Sequence, residues 1–327
     1  MSEPLRSSSA AALPGLDPAA YLRHSLHSPE CSWVEKNCYV DVWIELLHAL
    51  QLEPLAVLAA TVAIDFEGDQ WTFFKPPHED LKQLYGIDVQ ELYVWRPLLE
   101  HAVEHLSAGK FISTEADAFW LPDTQGSDYR QNHVKTTIVL NAVDLNERRL
   151  GYFHNAGYFS LEGEDFDQLF RVGAAPDAQF LPLFAELVRH DKAAARSAKE
   201  LREASRGLLA KHLHWRADNP VRRFRKRFEQ DLPEFSRLGM EHYHAWVFGT
   251  LRQLGAMSEL SAAYLRWLDG RFESAAGAFS DLSAVSKSLL LKVARAVNAK
   301  RALDAAQSFE QMTEAWERAS ASLREHT

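Results

Sequence analysis

Cysteine is scarce. Cys31 and Cys38 are the only two in 327 residues, too few for a disulfide framework or a thiolate zinc site. The expectation is two unpaired thiols in a reducing cytoplasm. Long apolar runs are lacking as well. Leu55 to Ile64 is among the longest and falls well short of the roughly 18 to 20 residues that span a bilayer, so no membrane segment is expected. The opening MSEPLRSSSAAALPGLDP has no continuous apolar stretch and does not read as a secretory signal; residues 1–20 are expected to be a flexible leader. No fixed-period repeat is present. Positive charge is not in excess either: 36 Lys and Arg face 45 Asp and Glu, a net −9. That balance argues against general nucleic-acid binding.

What the chain does hold is 46% hydrophobic and 25% charged residues, a composition able to bury sizeable cores. Its length is about twice that of a usual domain, so two packed units are expected. The charge is unevenly spread. Between Arg189 and Arg227 there are 13 Lys and Arg against 4 Asp and Glu. One basic surface is therefore expected on an otherwise acidic protein. Arg222, Arg223, Arg225, Lys226 and Arg227 are its densest part, and Trp215 and Phe224 are too sparse for a base-stacking platform.

Apolar positions from Cys38 to about Leu50 recur at helical spacing, which places Cys38 at a helix start. The segment Pro97 to Ala108 reads as a helix closed by Gly109, followed by the strand FISTEADAFWL. LPDTQGSDYRQN is turn-rich and reads as a loop. KTTIVLNAV and LGYFHNAG then read as an antiparallel hairpin, with the sheet occupying about Phe111 to Phe159. Beyond about residue 182 only helical periodicity remains, divided by Pro220 and Pro233. The fold class is α+β followed by a helical C-terminal domain, residues 182–327, with the basic segment at 189–227.

Cysteine chemistry needs a thiolate, which a helix N-terminus and a neighbouring imidazole both favour. Cys38 has the first. His133, at the mouth of KTTIVLNAV, suits the base, and Asn155, at the end of the next strand, suits the group that orients its ring. An antiparallel hairpin would set those two side by side, with His154 and Asp144 as substitutes. Asn37 or the Cys38 backbone N–H suits the oxyanion donor.

The order Cys, His, Asn resembles papain-like cysteine enzymes. The run GKFISTEADAFWLP followed by HVKTTIVLNAVDLNERRLGYFHNA is similar to bacteriocin-processing peptidases and to the butirosin-pathway acyltransferase. The motifs NCYVDVWIE, FEGDQWTFFK, LPDTQGSDYR and YFHNAGY resemble a bacterial family associated with amino acid:carrier-protein ligases. The resemblance implies a papain-like catalytic domain over residues 21–181. It also implies transfer of an aminoacyl or peptidyl group from a carrier-protein phosphopantetheine thioester, through acyl-Cys38, to a small-molecule amine. The enzyme itself would need no metal or organic cofactor, the phosphopantetheine arriving on the partner. The basic run would steer an acidic carrier protein. Two departures stand out: the peptidases commonly have Asp at the position of Asn155, and Ser32 replaces their glutamine six residues before the nucleophile. A cysteine peptidase or thioesterase is the runner-up, and a non-catalytic carrier-binding scaffold is the third reading.

Other constellations carry less. HAVEH, His101 to His105, matches an inverted zincin pattern, but its apolar stripe predicts that His101, Glu104 and His105 face water. Asp65, Glu67 and Asp69 are expected to be solvated or paired rather than ligands of a hard cation. Glu115 and Asp117 share one strand face, where Asp117 is a candidate for substrate contact.

Overall fold

The computed structural model describes residues 9–174, 184–216 and 218–327. Along the chain the strands are β1 (Ser9–Ala11), β2 (Phe66–Glu67), β3 (Gln70–Trp71), β4 (Asp88–Glu91), β5 (Phe111–Asp117), β6 (Lys135–Asp144), β7 (Arg149–His154), β8 (Gly157–Glu162) and β9 (Ala185–Arg189). The helices are α1 (Cys38–Ala49), α2 (His78–Tyr85), α3 (Leu98–Ser107), α4 (Glu164–Phe170), α5 (Ala198–His214), α6 (Pro220–His242), α7 (Gly249–Leu268), α8 (Glu273–Asn298) and α9 (Ala306–His326). No helix among the described residues is long and apolar enough to cross a membrane.

The chain forms two compact units. The first comprises the described residues of Met1–Ser25, Cys38–Leu52 and Leu81–Ala195, and the second comprises Leu26–Asn37, Glu53–Asp80 and the described residues of Arg196–Thr327. The first unit is α+β. Its sheet runs β4-β9-β5-β6-β7-β8, with β1 on β6, and every pairing is antiparallel. Helix α1 packs on β6, β7 and β8, while α3 packs on β1, β5 and β6. Strands β5 and β7 are buried at almost every position, because helices cover the sheet and alternation is lost.

Three departures from the sequence reading follow from the sheet. Residues 9–13 are no flexible leader: β1 pairs with the end of β6, and Asn141 clamps Leu13 through both its amide groups. That asparagine sits where the β6–β7 register slips, between Leu140 and Ala142, so the bulge turns its side chain toward the incoming chain. The boundary placed at residues 181 and 182 lies outside the described residues. Beyond it, however, β9 returns to the sheet between β4 and β5. The sheet therefore extends well past Phe111 to Phe159.

The second unit is helical apart from the β2–β3 ribbon. Helices α7, α8 and α9 bury Phe272, Phe279, Phe309, Trp316 and Leu323. Pro233 does not divide α6. The break comes instead at Gly239, where φ is 70° and ψ is −154°, a conformation glycine adopts without the Cβ penalty. The segment Leu26–Asn37 has few regular hydrogen bonds of its own and is held by side chains. Trp33 donates its indole N–H to Ser283 at 2.9 Å, and the buried Lys36 ammonium lies 3.6 Å from Glu259.

Candidate functional site

Cys38 is the first residue of α1 and is half-buried. The start of this helix is pinned to β9, because the Tyr39 hydroxyl donates to Glu186 at 3.1 Å. Burial, together with the negative charge of Glu186, holds that phenol well above its ordinary pKa. The Cys38 sulfur makes no hydrogen bond among the described residues. Cys31 instead donates its thiol to the Leu26 carbonyl at 3.3 Å.

His133 lies two residues before β6 and is exposed. Its Nδ1 is 2.6 Å from the Asp117 carboxylate, and Phe119 stacks on its ring with centroids 4.4 Å apart and planes 10° from parallel. The neighbouring pair is set by register, since Asp117 at the end of β5 faces Lys135 at the start of β6. Asp117 also accepts the Phe119 N–H at 3.1 Å, which fixes the carboxylate and the stacking ring together. The partner of His133 is therefore Asp117. Glu115, on the same strand face, takes Lys135 at 2.9 Å.

Asn155 is not beside His133. It occupies the two-residue turn between His154 and Gly157 with φ of 43°, a left-handed conformation that asparagine tolerates. Register puts His154 opposite Ile138, so roughly 10 Å of β6 separates the turn from the strand entrance. The expected hairpin exists, but its tip stops short of His133. The Asn37 side chain donates to the Phe74 carbonyl at 2.8 Å.

The substitute His154 has a network of its own. Its Nδ1 is 2.6 Å from Asp123, and its Nε2 is 2.8 Å from the Thr136 hydroxyl. Tyr152 donates to the other Asp123 oxygen. A carboxylate on Nδ1 fixes the tautomer that donates there, leaving Nε2 to accept from Thr136. Hydroxyl, imidazole and carboxylate follow the bond order of a serine-protease triad. Here, though, Thr136 is 7% exposed and His154 1%, which makes the chain of bonds a strut between strand ends and the polar loop. Asp123 was reachable in the sequence only as a member of LPDTQGSDYR, since its partner lies 31 residues away.

The basic run is largely neutralised in place. Arg222 pairs with Glu317, Arg223 with Asp65, Arg225 with Glu229 and Arg227 with Asp231. Lys226 alone of the five has no ion pair among the described residues. The expected basic surface is thus narrower than the count of charges suggests. Asp69 sits 3.8 Å from Arg227, so two of the acids considered for a cation are paired with arginine.

HAVEH departs from expectation at one position. His101 is 6% exposed, stacked with His105 and edge-on to Trp95, because the exposed loop carrying Trp95 covers that side of α3. Glu104 does face water and pairs with Arg96. Among the described residues no group of three His, Cys, Asp or Glu side chains is arranged to hold a metal ion.

Three histidines of this unit, His101, His105 and His190, carry a pH dependence, burial being the first cause of the lowering in each. Burial, then the Arg96 and His105 charges, lowers the His101 pKa, and burial lowers that of His190 against the opposing pull of Gly109 and Asp191. Neither the His101 nor the His190 Nε2 has a hydrogen-bond partner among the described residues. With folded values below the ordinary imidazole value of about 6.5, the unfolded chain takes up protons first as pH falls. Thermal melts of the wild type should therefore lose stability from pH 7 to pH 5. A His101→Phe, His190→Phe double variant should show a flatter profile, and equal slopes would refute the assignment.

A covered antiparallel sheet with α1 lying across it, followed by a helical unit, defines a two-part α+β protein. The chain belongs to the DUF1839 family: the DUF1839 N-terminal domain matches residues 22–190 and the DUF1839 C-terminal domain matches residues 198–325. No curated protein matches the chain.

Proposed function

We propose that the first unit is a papain-like cysteine acyltransferase that moves an aminoacyl or peptidyl group from a carrier-protein phosphopantetheine thioester to an amine. The observation that carries this reading is the Asp117–His133 pair. The carboxylate holds Nδ1 at 2.6 Å and leaves Nε2 as the nitrogen available for proton transfer, the arrangement a general base requires. Asp117 replaces Asn155 as the orienting residue. Cys38 at the mouth of α1 is the nucleophile, where a thiolate meets the positive end of the helix.

In the reaction, Cys38 gives its proton to His133 and its sulfur attacks the thioester carbonyl. The carbon–sulfur bond to pantetheine breaks, and the departing thiolate takes the proton. The amine then attacks acyl-Cys38 and loses a proton to His133, the bond from the acyl carbon to the Cys38 sulfur breaks, and the departing Cys38 thiolate takes that proton to restore the thiol. Catalytic hydrogen bonds commonly tighten only when substrate is bound. Association with a carrier protein and its ligase draws on the sequence resemblance, with Lys226 the unpaired charge available for contact.

The test is intact-mass analysis after incubation with an aminoacyl-pantetheine thioester. Wild type should gain one acyl group and Cys38→Ala none, while His133→Ala should slow acylation by about 10²- to 10⁴-fold. Asn155→Ala should leave it unchanged. Equal acylation of Cys38→Ala would end the assignment. A second reading, a non-catalytic carrier-binding scaffold, is favoured by the missing Cys38 hydrogen bond, and it predicts carrier binding with no adduct on any variant.

A further inference from the structure

The loop joining α5 to α6 carries Arg216, whose Nε, Nη1 and Nη2 are all buried without a hydrogen-bond partner among the described residues. Its guanidinium lies over the Trp316 ring at 4.2 Å and near that of Phe279 at 5.6 Å. Those aromatic faces satisfy the plane of the cation, but the N–H donors along its edge have no acceptor among the described residues. Burial, with the like charge of Arg324, brings the Arg216 pKa down to about 9. A buried cation lacking an acceptor is costly, and native interiors seldom leave such a group unpaired. The acids at hand do not supply the acceptor. Glu317 is taken by Arg222, and Asp218 is exposed, with no ion pair among the described residues.

Arg216 lines a cleft of about 920 Å³ together with His214, Asp218, Arg222, Trp316 and Arg324. All of these belong to the second unit. Positive charge outweighs negative, and the cleft backs onto an aromatic wall. A planar guanidinium edge matches two oxygens of a carboxylate or phosphate, which receive parallel hydrogen bonds.

We propose that this cleft binds the oxyanion of a small ligand, a phosphate ester or a carboxylate, with Arg216 as bidentate donor, Trp316 stacked behind it and Arg324 as the second positive charge. This site is independent of Cys38 and of the acyl-transfer reading.

The test uses the full chain, titrated separately with inorganic phosphate and with acetate at constant ionic strength, read by calorimetry and thermal melts. A response to phosphate assigns the ligand to phosphate esters, and a response to acetate assigns it to carboxylates. Either supports the site, and no response to both overturns it. Arg216→Met should weaken binding at least tenfold while raising the melting temperature of the unliganded protein, because the unpartnered cation is gone. Unchanged binding in that variant, or a drop in its unliganded melting temperature, would assign Arg216 to packing alone. Arg324→Gln, a rim substitution, should weaken binding severalfold without altering the fold. Asp218→Asn should bind at least as tightly as wild type; loss of binding there would mean that Asp218 organises the cleft and that Arg216 does not receive the anion. Lys226→Gln should bind like wild type, and an equal loss in that variant would reduce the effect to general charge attraction.

Discussion

Asp123→Ala should destabilise the first unit by about 3–5 kcal/mol, because it strands two buried donors at once. His154 would lose the acceptor for Nδ1–H and Tyr152 the acceptor for its hydroxyl, and both residues are at most 1% exposed. Water does not reach them to compensate. Asp123→Asn should cost less, since its amide oxygen still accepts from His154 and its NH₂ donates to the tyrosine oxygen. Thr136→Val removes only the outermost link and should cost on the order of 1 kcal/mol. Urea denaturation followed in the first unit orders the three variants. A midpoint for Asp123→Ala within error of wild type would mean that the strut carries no stability.

The second large effect lies where Trp33 meets α7. A Cβ built on Gly255 would fall 2.4 Å from the Trp33 indole, so the helix surface is cut to glycine to admit the ring. Gly255→Ala should cost roughly 1–3 kcal/mol by overpacking. Trp33→Ala should cost about 3–5 kcal/mol through the cavity it opens, and it also removes the bond to Ser283. The double variant is expected to be less damaged than the sum, because the added methyl enters the vacated space. Strict additivity would show that the two residues do not share one packing site.

The elements that local pattern determines were readable in advance. The helix opened by Cys38, the helix ended by Gly109, and the strands β5, β6 and β7 all follow from periodicity and turn residues. What escaped was pairing at a distance. Strand β9 is only five residues long, so nothing local ties it to β4 and β5. The partner of His133 differs from expectation for a related reason: hairpin order alone points to Asn155, whereas the β5–β6 register brings Asp117 to the imidazole. The strand face of Asp117 is legible in the sequence, but its distance from His133 is a property of the ladder. The basic run illustrates the limit of counting charge, because Asp65 and Glu317 lie 158 and 95 residues from the arginines they neutralise.

The compact units are not consecutive stretches of chain. The polypeptide enters the second unit at Leu26, leaves at Cys38, returns at Glu53, leaves again at Leu81, and comes back for good at Arg196. A cut after residue 195 would thus sever Trp33 from Gly255 and Ser283, and Lys36 from Glu259, leaving the apolar ring without the helix surface that receives it. The matched family domains, which meet between residues 190 and 198, follow the order of the text rather than the seams of the body. Neither half, expressed by itself, should be a well-behaved protein, and mixing the two separately made halves should restore cooperative melting that each one lacks.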